Sequence, residues 1–338
     1  MVDVGIVGAS GFTGAELLRL CAHHPDLEVR IATGDTQAGG AVAALYPSLR
    51  AAYPELTFTS YEAGAVDGLD LVFLGLPHGA SQAIVPELLG KVGHLVDLAA
   101  DFRLQDPAQY PQWYGEAHTA PEFLDDFAYG LPELYREEIL SSDHVATPGC
   151  YPTAAVLALA PLVRAGLVST DGIIVDAASG VSGAGRPPKP NTTFCAVDED
   201  FTAYGLLDHR HTPEIEQVLG ASVLFTPHLA PMNRGILATC YARPTGDTST
   251  DALLGCQQEA YADEPFVVVT EGSPSTKAAL GSNCAHLTAR HDERTGWVVA
   301  IAAIDNLTKG ASGAAVQCAN LLLDLPETAG LPIAGIYT

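Results

Sequence analysis

Residues 2–14 constrain the fold of this chain more than any other stretch. Val2 to Val7 is a short apolar run that breaks into Gly8-Ala9-Ser10-Gly11-Phe12-Thr13-Gly14, and an amphipathic segment, Ala15 to His23, follows. A strand, a glycine-rich turn and a helix in that order form a phosphate cradle, in which backbone N–H groups and the positive end of the helix dipole face an anion. The spacing is Gly-x-x-Gly-x-x-Gly rather than the commoner Gly-x-Gly-x-x-Gly. Gly8, Ser10, Gly11, Phe12, Thr13 and Gly14 are therefore candidate cofactor-binding residues, and the Ser10 and Thr13 hydroxyls add donors.

The pattern continues with strand candidates at Leu27 to Thr33, Asp70 to Gly75 and His94 to Leu98, the last two separated by a helical stretch from Ser81 to Leu89. Strands alternating with helices imply a parallel sheet covered on both faces, the arrangement of a doubly wound nucleotide-binding domain. A dinucleotide site of this kind places an acid near the end of the second strand for a ribose 2′-hydroxyl, or a cation for a 2′-phosphate. The segment here, Ala32-Thr33-Gly34-Asp35-Thr36-Gln37, holds no Lys or Arg. Asp35 favours NAD if it points at the ribose.

Beyond Cys150 the character changes. Gly172 to Ala178, Ser222 to Pro227, Gly235 to Arg243, Phe266 to Thr270, Ala285 to Ala289 and Trp297 to Ile304 read as strands, with helices at Thr212 to Leu219 and around Ala252 to Tyr261. This is the pattern of an α+β domain with a large, mostly antiparallel sheet. A last helix, Ser312 to Leu323, is expected to return to the first domain. The expected division is a Rossmann-type dinucleotide-binding domain of residues 1–149 and 311–338, and a catalytic, substrate and oligomerisation domain of residues 150–310.

Cys150 lies in Ala146-Thr147-Pro148-Gly149-Cys150-Tyr151-Pro152-Thr153. Gly149 permits a sharp turn, Pro152 suits the first turn of a helix, and the apolar run from Ala154 to Leu167 reads as that helix. Cys150 thus stands at or just before a helix N-terminus, where the dipole favours the thiolate that attacks carbon. Of the seven cysteines, none form a Cys-x-x-Cys pair. Cys21, Cys240 and Cys318 sit in apolar patterns as inert core residues, and neither a zinc site nor a disulfide framework is expected.

A nucleotide loop with an activated thiol suggests hydride transfer to or from a cysteine-bound acyl group, which needs a general acid/base and donors for the oxyanion. The base candidates lie in Asp208-His209-Arg210-His211-Thr212-Pro213-Glu214. Thr212 reads as the cap and Pro213 as the first residue of a helix, so His209 is preferred on the preceding loop and His211 is the more structural of the two. His23 and His24 read as exposed helix-end residues. A second glycine-rich loop, Ser179-Gly180-Val181-Ser182-Gly183-Ala184-Gly185-Arg186, ends in an arginine suited to carboxylate or phosphate.

Forty acidic against sixteen basic residues give a net charge of −24, which argues against nucleic acid and anionic membranes as partners. Six of the cations (Arg103, Arg186, Lys189, Arg210, Arg234 and Lys309) fall in Gly-, Pro- or His-rich segments, as a pocket for a small anionic molecule would require. The strand signal at Val2 leaves no room for a secretory signal peptide, and no apolar run approaches the roughly 20 residues that span a bilayer. A cytoplasmic protein is expected.

Together these motifs resemble the N-acetyl-gamma-glutamyl-phosphate reductase family over essentially the whole chain. The matching segments are Gly8 to Gly14, Ala100-Asp101-Phe102-Arg103, Pro148 to Thr153, Ser179 to Arg186, His209 to Ile215, and Asp305-Asn306-Leu307 with Lys309-Gly310. The resemblance implies reduction of an acyl phosphate through a Cys150 thioester, with His209 as acid/base. It implies NADP as cofactor, with Ser10, Gly11, Thr13, Thr33, Ser182, Gly183 and Asn306 at that site, although Asp35 stands where the family often has a basic residue. Arg103, Arg186 and Arg210 become candidates for the anionic groups of the substrate. The family is similar in fold to aspartate-semialdehyde dehydrogenase and is typically homo-oligomeric, as a dimer or tetramer. Three rivals remain: a sister reductase acting on a carrier-protein-linked aminoadipyl phosphate, aspartate-semialdehyde dehydrogenase itself, and a nucleotide-binding regulatory protein without catalysis.

Overall fold

A computed structural model describes residues 1–337. In chain order its main elements are β1 (Val2–Val7), α1 (Phe12–Cys21), β2 (Leu27–Ala32), β3 (Leu71–Leu74), α2 (Ser81–Leu88), β4 (His94–Asp97), β5 (Ala128–Tyr129), α3 (Pro132–Leu140), β6 (His144–Ala146), α4 (Cys150–Arg164), β7 (Ile173–Gly180), β8 (Thr202–Ala203), α5 (Thr212–Leu219), β9 (Val223–Ala230), β10 (Ile236–Ala242), α6 (Thr250–Ala260), β11 (Val267–Val269), β12 (Ala285–Asp292), β13 (Trp297–Ile304) and α7 (Gly313–Leu322). They form two compact units: Met1–Pro148 with Ala311–Leu331, and Gly149–Gly310 with residues 332–337.

The first unit is built on a six-stranded sheet in the order β2-β1-β3-β4-β6-β5, with every pair parallel. Central strands of such a sheet are covered on both faces and read as unbroken apolar runs. Leu71, Val72, Phe73 and Leu74 of β3 accordingly have no exposed surface. α7 packs against α1, α3 and β4, and Cys318 joins Ile139 and Val145 in a fully buried cluster. The expected strands are present, while β5 and β6 went unread. With two and three residues they are too short for a period to show.

Two expectations in this unit need correction. α1 begins at Phe12, not Ala15, so Gly14 lies in its first turn. A Cβ at Gly14 would stand 2.4 Å from the Ala9 Cα, so the close packing of helix on loop requires glycine there. His24 is not an exposed helix end but is 7% exposed. Its Nε2 lies 2.9 Å from Asn320 Oδ1, and its Nδ1 accepts the Asp26 and Leu27 amides at 3.1 and 3.2 Å. A histidine with both ring nitrogens committed is a structural clip.

The second unit holds a seven-stranded sheet in the order β11-β12-β13-β10-β7-β9-β8. The β7–β9 and β11–β12 pairs are parallel and the other four antiparallel. One face carries α4, with α5 and α6 beside it. From Tyr151 to Leu162, α4 is buried on all sides, which its nearly unbroken apolar sequence requires. Cys240 on β10 is fully buried, and burial pushes its thiol far above the ordinary range. The C-terminal stretch departs from the expected division. Residues 332–337 belong to this unit, where Asn283 N donates to Pro332 O at 2.8 Å and Ile336 N to Leu280 O at 2.6 Å.

At the end of β4 the first unit buries a pair of carboxylates. Ser81 Oγ lies 2.9 Å from Asp97 Oδ2 and 2.8 Å from Asp101 Oδ2. A hydroxyl carries one proton and cannot donate to both, so one carboxyl supplies the other. Asp101 already accepts the Gly79 and Gln82 amides at 2.8 and 3.0 Å and pairs with His78. Burial would raise it, yet these donors hold it down to about 2. Asp97 is pushed up to about 7, by burial first and the neighbouring Asp101 second. Asp97 therefore carries the proton and donates it to Ser81. With the folded pKa above the ordinary value of about 3.9, the native state binds a proton that the unfolded chain releases. Its stabilising contribution is complete below about pH 4 and is lost as pH rises towards about 7. Asp97→Asn keeps a donor for Ser81 without titrating. Denaturation midpoints measured from pH 4.5 to 7.5 should show wild type losing stability relative to the variant, by on the order of a few kcal/mol; parallel curves would refute the buried proton.

Candidate active site

In the first unit, the three glycines of the N-terminal loop serve different ends. Gly8 has φ +89°, and a Cβ there would stand 2.5 Å from the Gly75 carbonyl oxygen, so both conformation and space exclude other residues. Gly14 is fixed by packing, as above. At Gly11, the N-cap of α1, a Cβ would meet only Gly8 O at 3.7 Å and Thr13 Oγ1 at 3.9 Å. The packing of the protein itself does not demand glycine there, and its absent side chain leaves the bare backbone open to a ligand. α1 has no side-chain cap and no acid in its first turn, which suits its leading N–H groups to an anion. Tyr46 Oη braces the loop from behind, donating to Ser10 O at 2.7 Å. The donor set of Gly11, Phe12 and Thr13 amides with the Ser10 and Thr13 hydroxyls fits a dinucleotide pyrophosphate. Thr33 is 1% exposed and its Oγ1 accepts the Gly8 amide at 3.1 Å, so its hydroxyl shapes the loop from below. Asp35 is exposed at the tip that follows β2.

In the second unit, Cys150 is the first residue of α4, behind an N-cap Gly149 that offers no side-chain cap. The Gly149 amide donates to Glu214 Oε1 at 2.8 Å, and Glu214 is wholly buried. A Cβ on Gly149 would lie 2.5 Å from His211 Nε2, and one on Gly310 would lie 2.9 Å from the Cys150 Cβ. Two glycines thus let the imidazole and a second backbone close on the cysteine. His211, not Thr212, is the N-cap of α5, which shifts the expected cap by one residue and brings the His211 ring to the cavity.

That cavity, of about 230 Å³, is lined by Cys150, His209, Arg210, His211, Lys189 and Tyr204 among others. The His209 ring is caged by His211 at 4.8 Å, Phe225 at 5.3 Å, Tyr204 at 5.5 Å and Tyr151 at 5.7 Å between centroids. Burial and the adjacent Arg210 pull its pKa down to about 4, against a smaller opposing pull from Asp208. His209 is therefore neutral at pH 7, a proton acceptor rather than a cation. Tyr204 Oη donates to Tyr151 Oη at 3.1 Å, and Tyr151 Oη to His228 O at 3.0 Å.

Of the other sequence-derived candidates, Gly183 lines this cavity. Ser182 and Asn306 stand behind it: Asn306 Nδ2 donates to Ser182 Oγ at 3.0 Å, and Asn306 Oδ1 accepts the Gly235 amide at 2.7 Å. Asn306, 2% exposed, latches the glycine-rich turn to β10. Arg103, in the first unit, is 9% exposed and donates to Thr147 O at 2.7 Å and Leu98 O at 2.8 Å. It holds the segment that leads to Cys150. Arg186 is half-buried and does not line the cavity. The sequence reading did not assign Glu214, Tyr204 or Gly310 a role. Glu214, an acid on the inward face of a short helix, had a detectable signal; Tyr204 had none.

Residues 3–142 match the semialdehyde dehydrogenase NAD binding domain, and residues 150–306 match the semialdehyde dehydrogenase dimerisation domain. Aspartate semialdehyde dehydrogenase II from Vibrio cholerae, complexed with ASA, superposes with a TM-score of 0.72 at 17% identity, covering 96% of this chain and 98% of that one. The enzyme from Candida albicans, solved with NADP, gives 0.71 at 14% identity over 96% and 98%. These shares establish the fold. Sequence relatives are far nearer. N-acetyl-gamma-glutamyl-phosphate reductase of Symbiobacterium thermophilum is 49% identical over 343 residues, 99% of this chain and 98% of that protein. The reductase of Citrifermentans bemidjiense is 45% identical over 346 residues, the full length of both. A first unit that matches a nicotinamide-dinucleotide-binding domain and a second that presents a cysteine at a helix start in one cavity with a neutral histidine are the two halves of an oxidoreductase, and the chain belongs to the N-acetyl-gamma-glutamyl-phosphate reductase family.

Proposed function

We propose that the protein reduces N-acetyl-γ-glutamyl phosphate, with NADPH as reductant, to N-acetylglutamate semialdehyde and inorganic phosphate. The observation that carries this reading is the meeting of Cys150, His209, Arg210 and His211 in one cavity, in a chain whose relatives bear the name of that reaction. Cys150 at an uncapped helix start is favoured as thiolate, and neutral His209 accepts its proton. The sulfur attacks the acyl carbon, the S–C bond forms, and the C–O bond to phosphorus breaks as phosphate departs with the electron pair. Arg210, beside His209, is suited to that leaving group. A reduced nicotinamide would supply a hydride to the thioester carbon, and His209, holding the proton taken from Cys150, would give it to the oxyanion of the resulting Cys150 hemithioacetal. Return of that proton to His209 accompanies C–S cleavage, releasing aldehyde and thiolate.

The Gly11, Phe12 and Thr13 amides and the Ser10 and Thr13 hydroxyls would hold the pyrophosphate of the cofactor. NADP rather than NAD rests on the resemblance to the family. Assembly as a homo-oligomer is supported by the matched dimerisation domain and by the second sheet. Its strands alternate between fully buried residues and half-buried or exposed ones such as Leu237, Tyr241, Val299 and the 50%-exposed Leu224. One face lacks a complete cover and suits a second copy of the chain. No helix among the described residues is long and apolar enough to cross a membrane, and a cytoplasmic location is part of this reading.

The direct test runs the reaction in reverse. N-acetylglutamate semialdehyde with phosphate and NADP should generate reduced nicotinamide absorbance that requires phosphate, and Cys150→Ser should lower the rate by at least about 10³-fold while the protein remains folded. Phosphate-independent turnover, or a Cys150→Ser enzyme near wild-type rate, would exclude the thioester route. His209→Asn should cost about 10²- to 10⁴-fold in kcat. Because the His209 proton affinity is depressed to about pH 4, the acid limb of kcat/KM should fall near that pH and not near 6.5. A limb near 6.5 would reassign the base.

A further inference from the structure

Lys189 and Arg210 are the lysine and arginine side chains that line the Cys150 cavity, and they come from different segments. Arg210 follows His209. Lys189 belongs to the stretch between β7 and α5, where residues 189–192 close on themselves. Lys189 N donates to Thr192 Oγ1 at 2.9 Å, Thr192 N to Lys189 O at 3.0 Å, and Thr192 Oγ1 to Lys189 O at 3.3 Å. Pro190 fixes a further backbone angle inside the turn. The turn brings Lys189, Asn191 and Thr192 together to the cavity wall. Lys189 forms no ion pair with a carboxylate among the described residues, although the chain carries forty of them. A pre-shaped turn that presents an uncommitted ammonium loses little freedom when it binds an anion.

The substrate proposed above has two anionic ends. Its phosphate sits on the carbon that Cys150 attacks and His209 serves, which is the end beside Arg210. Its α-carboxylate lies at the other end of the carbon chain. A protein of net charge −24 repels such a molecule, so each anionic end needs a local cation. We propose that Lys189, held by the 189–192 turn, is the specificity-determining contact for the substrate α-carboxylate. This assignment rests on the reading of the reaction given above.

The test crosses the charge of the residue with that of the substrate, in the reverse assay. Wild type should prefer N-acetylglutamate semialdehyde over its α-carboxamide by about 10- to 100-fold in kcat/KM, as a charge-assisted contact is worth. Lys189→Met should erase most of that preference by raising KM for the acid while kcat for the acid stays within about twofold. Lys189→Arg should keep the preference, and Thr192→Val, which removes both Oγ1 bonds of the turn, should reduce it part-way. A general loss of structure would lower kcat for both compounds alike and leave their ratio unchanged. If Lys189→Met retains the wild-type preference, the assignment is wrong while the reaction stands. If wild type turns over neither compound, the reading of the reaction fails, and this assignment with it.

Discussion

The geometry of the second unit around Cys150 depends on the hydrogen bond from the Gly149 amide to Glu214. The carboxylate is wholly buried, and the bond, at 2.8 Å, satisfies a donor that the first turn of a helix otherwise leaves without a partner. Breaking it would take a hydrogen bond from a buried acidic side chain, at about 1–3 kcal/mol. It ties the first turn of α5 to the first turn of α4, and so ties the histidine-bearing loop to the cysteine. The absent side chain of Gly149 is the steric half of the same device. His211 Nε2 occupies the space within 2.5 Å of where a Cβ would stand. A side chain there would collide with the imidazole, so glycine is required even though φ at −65° is open to other residues.

Electrostatics then divides the work among groups that look alike in sequence. His209 is kept neutral by burial and by Arg210, as the proposed proton acceptor has to be, and the proposed anion contacts are left to Lys189 and Arg210. In the first unit the same logic separates two aspartates. Asp101 collects the donors and stays ionised, and Asp97, with few, keeps its proton. Both cases begin with the exclusion of water; the Arg210 charge then deepens the shift at His209, and the number of hydrogen-bond donors separates the two aspartates.

The sheet order of neither unit could be read from the sequence, but the strands that build each sheet could, because long apolar or alternating runs are local signals. Cys150 stands at the start of α4, as Gly149 and Pro152 announce, but the partner of the Gly149 amide, Glu214, lies 65 residues further along, where no local pattern reveals it. His24 was misread for the same reason, since what buries it is Asn320 on α7. β5, β6 and β8 escaped because pairing with longer neighbours, not their own composition, makes them strands. The cysteine and both histidines were visible because turn and cap residues announce a helix end and a loop, and such ends are where reactive side chains gather.

The motif residues that proved hardest to assign share one physical feature. Thr33, Arg103 and Asn306 all carry groups suited to a ligand, and all bind protein: the Gly8 amide, the Leu98 and Thr147 carbonyls, and the Gly235 amide with Ser182. Each anchors a backbone segment next to a site. Thr33 supports the phosphate loop, Arg103 the approach to Cys150, and Asn306 the glycine-rich turn of the cavity. A bare backbone that must face an anion or a reacting carbon cannot hold itself in place, since its own amides are the binding groups. Its rigidity has to come from polar side chains behind it, which therefore travel in the same motifs as the groups that do the chemistry. Lys189 reverses the pattern, with its main chain braced by its own turn and its ammonium paired with no carboxylate among the described residues, and that contrast is what suits it, unlike the anchoring residues, to the substrate contact proposed for it.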